Sequence, residues 1–215
     1  MEISALPGSI LNGNQHTVLL SHLSRDMGKR LETKLFEAWG GKPSVTMLRH
    51  TDQTVDVHTK RRYTEYLRRS LGVSWPTAED ERADGKAADA VYASAGAWLI
   101  AQTRDTSRFR VLFEDNIAYG FRRNLLALRP FTVAISVLAL ALIGLAHQGL
   151  LPLEARGDAW LLALASLVAL YLLMTLVVVR RGWVKEAAHS YAQRLLETAD
   201  LLAQGKPVKQ AEPAE

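Results

Sequence analysis

The sequence predicts a mainly all-α protein: a cytosolic helical domain, then a two-helix transmembrane hairpin, then a C-terminal cytosolic helix. Three observations predict it. Two uncharged apolar runs lie at 130–148 and 159–179, although charged residues make up 22% of the chain. Elsewhere, apolar residues recur at steps of three and four, the period of a buried helix face. Basic residues flank the outer ends of the two runs, and the segment between them has no basic excess.

Each run has about the length a helix needs to cross ~30 Å of hydrocarbon. The first holds Phe131, Val133, Ile135, Val137, Leu138, Leu140, Leu142, Ile143 and Leu145. On the insertion scale these contribute about −3 to −5 kcal/mol, and no charge opposes them. The second run is richer in leucine and ends in Val177, Val178 and Val179. A soluble helix of such length keeps a polar face, which neither run has. Arg122, Arg123 and Arg129 precede the first run, and Arg180, Arg181 and Lys185 follow the second. The connector offers only Arg156 against Glu154 and Asp158. Positive residues stay on the cytoplasmic side, so both termini are expected inside and the connector, with Pro152, outside. Pro130 suits the first turn of a helix, where its missing N–H matters little. Ala159, Ala163, Ala165 and Ala169 on the second run, with Thr132 and Ser136 on the first, suit close helix contact in lipid.

The chain has 215 residues, so 1–128 can form one compact domain ahead of the hairpin at 129–180. Residues 181–205 read as an amphipathic helix and 206–215 as a disordered tail. The absence of cysteine excludes disulfides, thiolate metal sites and thiol nucleophiles. Much of the net charge of +4 lies beside the hairpin, where anionic lipid would attract it.

After an irregular lead-in at 1–14, a helix is expected over 17–39, with Leu20, Leu23, Met27, Leu31, Leu35 and Ala38 on one face. Gly40 and Gly41 end it. Residues 44–48 could form a short strand inside an irregular stretch. Helix resumes over 58–71, capped by Asp56, with Tyr63, Tyr66, Leu67 and Leu71 inward. Thr77 and Asp80 imitate a capping box, and Gly85 could split the helix that follows. Ala88, Val91, Tyr92, Ala95, Trp98 and Leu99 then form an apolar stripe. The next helix, 107–128, places Phe109, Leu112, Phe113, Asn116, Ile117, Gly120 and Phe121 on one face. Only Arg129 and Pro130 separate it from the first run. After the second run, Val184, Ala188, Tyr191, Leu195, Thr198 and Leu202 form a short heptad seam. It would serve a coiled coil between subunits or a return onto the protein's own domain.

Three polar groups are candidates for function. Arg49, His50 and Asp52 sit in the irregular stretch. Imidazole and carboxylate are metal-ligand types, but the spacing matches no ligand motif, so no metal is assigned. Arg61, Arg62, Arg68 and Arg69 join Arg49 as guanidinium forks suited to phosphate. No glycine-rich phosphate loop accompanies them, and an ordinary charged helix face is the first reading of them. Glu114, Asn116, Tyr119, Arg122 and Arg123 lie on the helix entering the first run, as a structural brace or a coupling element. Asn116, on the apolar face, should seek a partner. No nucleophile elbow, H-E-x-x-H or P-loop is present, so no catalytic residue and no cofactor is assigned. Two runs without Asp, Glu, Lys or Arg provide no ion relay.

Four stretches carry a resemblance: Arg25-Asp26-Met27-Gly28-Lys29, Trp39-Gly40-Gly41-Lys42-Pro43, Leu48-Arg49-His50-Thr51-Asp52 and Tyr119-Gly120-Phe121-Arg122-Arg123-Asn124-Leu125. Across most of 15–135 the chain resembles a family of uncharacterised bacterial membrane proteins. Its layout is similar to two-helix membrane effectors of bacterial defence systems. No activity is carried over from that family. The direct junction of the helix at 107–128 with the first run and the C-terminal seam point to a non-enzymatic, homo-oligomeric effector or sensor in the bacterial inner membrane, with the lipid bilayer as a partner. The alternative is a membrane-tethered module recruiting a phosphorylated ligand or nucleic acid, with a cytosolic nucleotide or protein as partner.

Overall fold

The computed structural model describes residues 13–151 and 157–205. The readings of the lead-in, of Pro152, Glu154 and Arg156, and of the tail fall mostly or wholly outside the described residues. Within them the chain forms helices and no strand: α1 (Gly13–Ala38), α2 (Pro43–Thr46), α3 (Val57–Leu71), α4 (Ala78–Ala83), α5 (Gly85–Gln102), α6 (Arg110–His147), α7 (Asp158–Val178) and α8 (Arg181–Ala203).

Local chemistry sets most boundaries. Gly40 and Gly41 take φ of 79° and 140°, and the Gly41 N–H donates to the Phe36 carbonyl at 2.8 Å. Side chains with a Cβ avoid this backbone, so α1 stops there. Residues 44–48 form no strand. Pro43 starts a short helix instead, since its fixed φ suits a first helical turn. Val45, Met47 and Leu48 drop into the core from it. The Asp56 carboxylate accepts from the His58 and Thr59 N–H groups and starts α3. Thr77 and Asp80 complete the capping box of α4. Asp84 then splits α4 from α5 by accepting from the Lys86 and Ala87 N–H groups.

α8 holds the domain together. One core cluster gathers Met47, Leu48, Leu67, Tyr92, Leu99, Leu195 and Leu196, and a second gathers Leu35, Tyr119, Leu126, Val184 and Ala188. Both draw on α8. Its seam therefore packs back onto the protein's own helices, with Val184, Ala188, Leu195 and Thr198 buried.

α6 departs from the sequence expectation twice. It runs unbroken through Pro130, which lies inside the helix rather than at its start. Proline removes one i→i−4 bond, a loss a long helix tolerates where neighbouring groups satisfy freed carbonyls. Close by, the Thr132 hydroxyl donates to the Leu128 carbonyl at 3.3 Å. The buried face is also rotated. Leu112, Tyr119 and Leu126 point inward, each seven residues on, whereas Phe113, Ile117 and Phe121 are exposed. Asn116, expected on the buried face, is exposed too. The reason is packing: α1 and α8 cover the Tyr119 side and leave the Ile117 side open. On α1, Leu23 and Ala38 are likewise exposed.

α6 and α7 are long and apolar enough to cross a membrane. They form an antiparallel pair. His147 Nδ1 lies 3.3 Å from Asp158 at one end, and Arg129 donates to the Leu176 carbonyl at the other. Between these ends the buried residues are the small, polar Ser136 and Thr175. The large apolar side chains face outward, Leu167 being 64% exposed. By length, composition and exposure the pair is consistent with two membrane spans.

Leu195→Ala should cost about 2–5 kcal/mol, as for other buried leucines. Leu167→Ala should stay within about 0.5 kcal/mol, the range of outward-facing positions. Thermal melting of the detergent-solubilised variants checks both.

Candidate functional site

The polar side chains that bridge the domain and the apolar pair converge on α6 between Tyr119 and Asn124. Gly28 of α1 lets the two helices close, since a Cβ there would collide with the Asn124 side chain. One turn later on α1, Glu32 meets α6. Tyr119 Oη donates to Glu32 Oε1 at 2.6 Å, and Arg123 Nη1 donates to the same oxygen at 2.7 Å. Arg123 also contacts Asn124 Oδ1 at 3.3 Å and lies over the Tyr119 ring. α8 closes the other side. Tyr191 stacks on Tyr119 with ring centroids 6.3 Å apart, and Arg122 donates to the Trp183 carbonyl at 3.1 Å with its guanidinium over the indole.

The electrostatics favour a fixed joint. Arg123 retains 11% side-chain exposure and Glu32 26%, so each needs the other. Burial pushes the Tyr119 phenol well above its ordinary value, and the bond to Glu32 adds to this. Burial raises Tyr191 as well. Both phenols therefore stay neutral, and Tyr119 stays a donor.

Of the coupling candidates, the structure brings Tyr119, Arg122 and Arg123 together. Glu114 instead pairs with Arg110 on the exposed face, at 2.9 Å. Asn116 lies on that exposed face and joins no cluster. Glu32, Gly28, Trp183 and Tyr191 join Tyr119, Arg122 and Arg123, although the sequence pattern assigns none of the four to this joint and places Tyr191 only in the heptad seam. Gly28 inside a helix was the one local signal of a close approach.

The Arg49 group forms a tie. Arg49 makes a two-armed bond to Asp89 at 2.8 and 2.6 Å. The His50 N–H donates to Glu81, and its ring nitrogen Nε2 lies 2.9 Å from the Pro76 carbonyl. Asp52 Oδ1 accepts from the Thr54 N–H, and Lys60 Nζ donates to the carbonyls of Arg49 and Asp52. These bonds fix the irregular stretch against α4 and α5. The described residues hold no group of three or more acidic or histidine side chains placed to bind a metal ion.

The α3 arginines divide. Arg62 reaches Asp200 of α8 at 2.9 Å. Arg68 and Arg69 both donate to Glu65, and their bonds hold its carboxyl at about 2. Arg61, Glu65, Arg68, Arg69 and Trp75 border a groove of about 370 Å³. The Glu65 carboxylate takes both arms of Arg68 and the Nε of Arg69 there. No family model, curated protein or solved structure matches this chain.

Glu32→Gln should destabilise the protein by about 2–4 kcal/mol, because it leaves the mostly buried Arg123 charge without its anion. A double-mutant cycle with Arg123→Met, read by melting, should give a coupling of at least about 1 kcal/mol.

Proposed function

We propose that the chain is an integral membrane effector or sensor that works as an oligomer and couples its cytosolic helical domain to the bilayer. The carrying observation is α6 itself. One helix of 38 residues begins in the domain core at Leu112 and ends as the first apolar segment. No flexible linker lies between to absorb motion. The Glu32 brace clamps this helix where the two environments meet.

A second copy is the partner that fits the open side of α6. Phe113, Ile117 and Phe121 form an exposed row, and Phe131, Ile135, Leu138 and Leu142 continue it past Pro130. At about 100° per residue these positions share one side of the helix. A soluble partner could cover only the first part, whereas another copy of the helix could cover both. Both termini would lie in the cytoplasm, following the positive flanks. The tethered phosphate-binding alternative gains less support, because Glu65 already takes both arms of Arg68 and the Nε of Arg69.

Since the chain lacks cysteine, single cysteines report cleanly. Ile117→Cys and Ile135→Cys should each give disulfide-linked dimers in membranes, and adding Ile117→Asp should abolish linkage through position 135. Leu150→Cys should react with an impermeant maleimide from outside the cell, and Lys185→Cys should not. Induced expression should depolarise the membrane and arrest growth, with Ile117→Asp harmless. Unchanged potential under every trigger tried sinks the effector reading.

A further inference from the structure

Where α1 meets the base of the apolar pair, a groove of about 830 Å³ opens. Arg30 and Lys34 of α1, Arg129 of α6 and Arg181 of α8 line it, and no acidic side chain does. Among the described residues, none of these four has a carboxylate within ion-pair distance. The acid nearest in sequence to the α1 pair, Glu32, is held by Tyr119 and Arg123. Arg129 uses one N–H on the Leu176 carbonyl, in the last turn of α7. Four like charges around one groove favour an anion there.

The rest of the lining is apolar. Leu31 and Leu126 lead to Val133 and Leu176, which belong to the two apolar segments. A small free anion would answer the charges and leave this wall bare. An amphiphile with an anionic head satisfies both parts at once.

We propose that this groove binds the phosphate headgroup of an anionic phospholipid, with an acyl chain lying along Val133 and Leu176. The proposal rests on the membrane reading above. Guanidinium forks suit the phosphate oxygens, and basic pockets beside the cytoplasmic ends of membrane helices are suited to such headgroups. A lipid held there would touch α1, α6 and α8 together, so it would report bilayer composition to the joint that Glu32 closes.

The test uses the full chain in nanodiscs of phosphatidylcholine alone or mixed with phosphatidylglycerol, with native mass spectrometry counting retained lipids. The wild type should retain phosphatidylglycerol in preference to phosphatidylcholine. Arg30→Gln with Lys34→Gln should weaken that retention about tenfold or more while melting as the wild type does. Lys29→Gln with Lys185→Gln removes the same charge from exposed positions outside the groove and should change nothing. Millimolar inorganic phosphate should not displace the lipid. Equal losses in the two double variants would mean diffuse surface attraction and overturn the proposal. Displacement by inorganic phosphate would mean a free-anion site and overturn it as well. Insertion without lipid preference would overturn this proposal alone, whereas failure to insert would overturn the membrane reading with it.

Discussion

α6 carries two unlike surfaces on one backbone, and the rest of the structure follows from that constraint. Its first half carries Leu112 and Tyr119 into a core shared with α1 and α8. Its second half shows large apolar side chains on almost every side. A helix meets both demands because its backbone bonds are internal and owe nothing to the surroundings. Pro130 stands near the change of character, where a single missing bond is tolerated rather than fatal.

The junction of the domain with the apolar pair is held by polar contacts set in a crowded place. Glu32 accepts from both Tyr119 and Arg123, so one carboxylate fastens α1 to two turns of α6. Isolated ion pairs on a surface contribute little. This one is largely shielded from water, so breaking one partner costs far more than the pair's net worth. Arg122 grips Trp183 on the opposite side, where α8 begins. α8 then returns through both core clusters and ties the end of α7 back to the domain. In the basic groove beside the brace, four cations gather without an acidic side chain in the lining.

Local signals were legible wherever a few neighbouring residues decide the outcome. The end of α1 at Gly40 and Gly41, the Asp56 cap and the Thr77 and Asp80 box all appear where the sequence places them. The second apolar segment differs from its expected limits by one residue at each end. The face of α6 was not legible. Periodicity showed that Phe113, Ile117 and Phe121 share a side, and it could not say that α1 and α8 sit on another. For the same reason Asn116, which the pattern places on the buried face, lies exposed instead. The roles of the arginines were equally hidden. Arg49 meets Asp89 forty positions away, and Tyr119 meets Glu32 at a separation of 87. A row of guanidinium groups looks alike in sequence whether carboxylates fill it or leave it open.

By itself, then, the sequence determined that this chain is helical, where most helices begin and end, and which two segments are apolar enough to leave water. Those features depend on caps, glycines and composition within a turn or two. Only the tertiary structure decided which side of α6 is buried, that α8 folds back on its own domain, and which cations remain unpaired. Those outcomes depend on contacts between residues far apart in the chain, and a one-dimensional pattern does not encode which distant side chain will arrive.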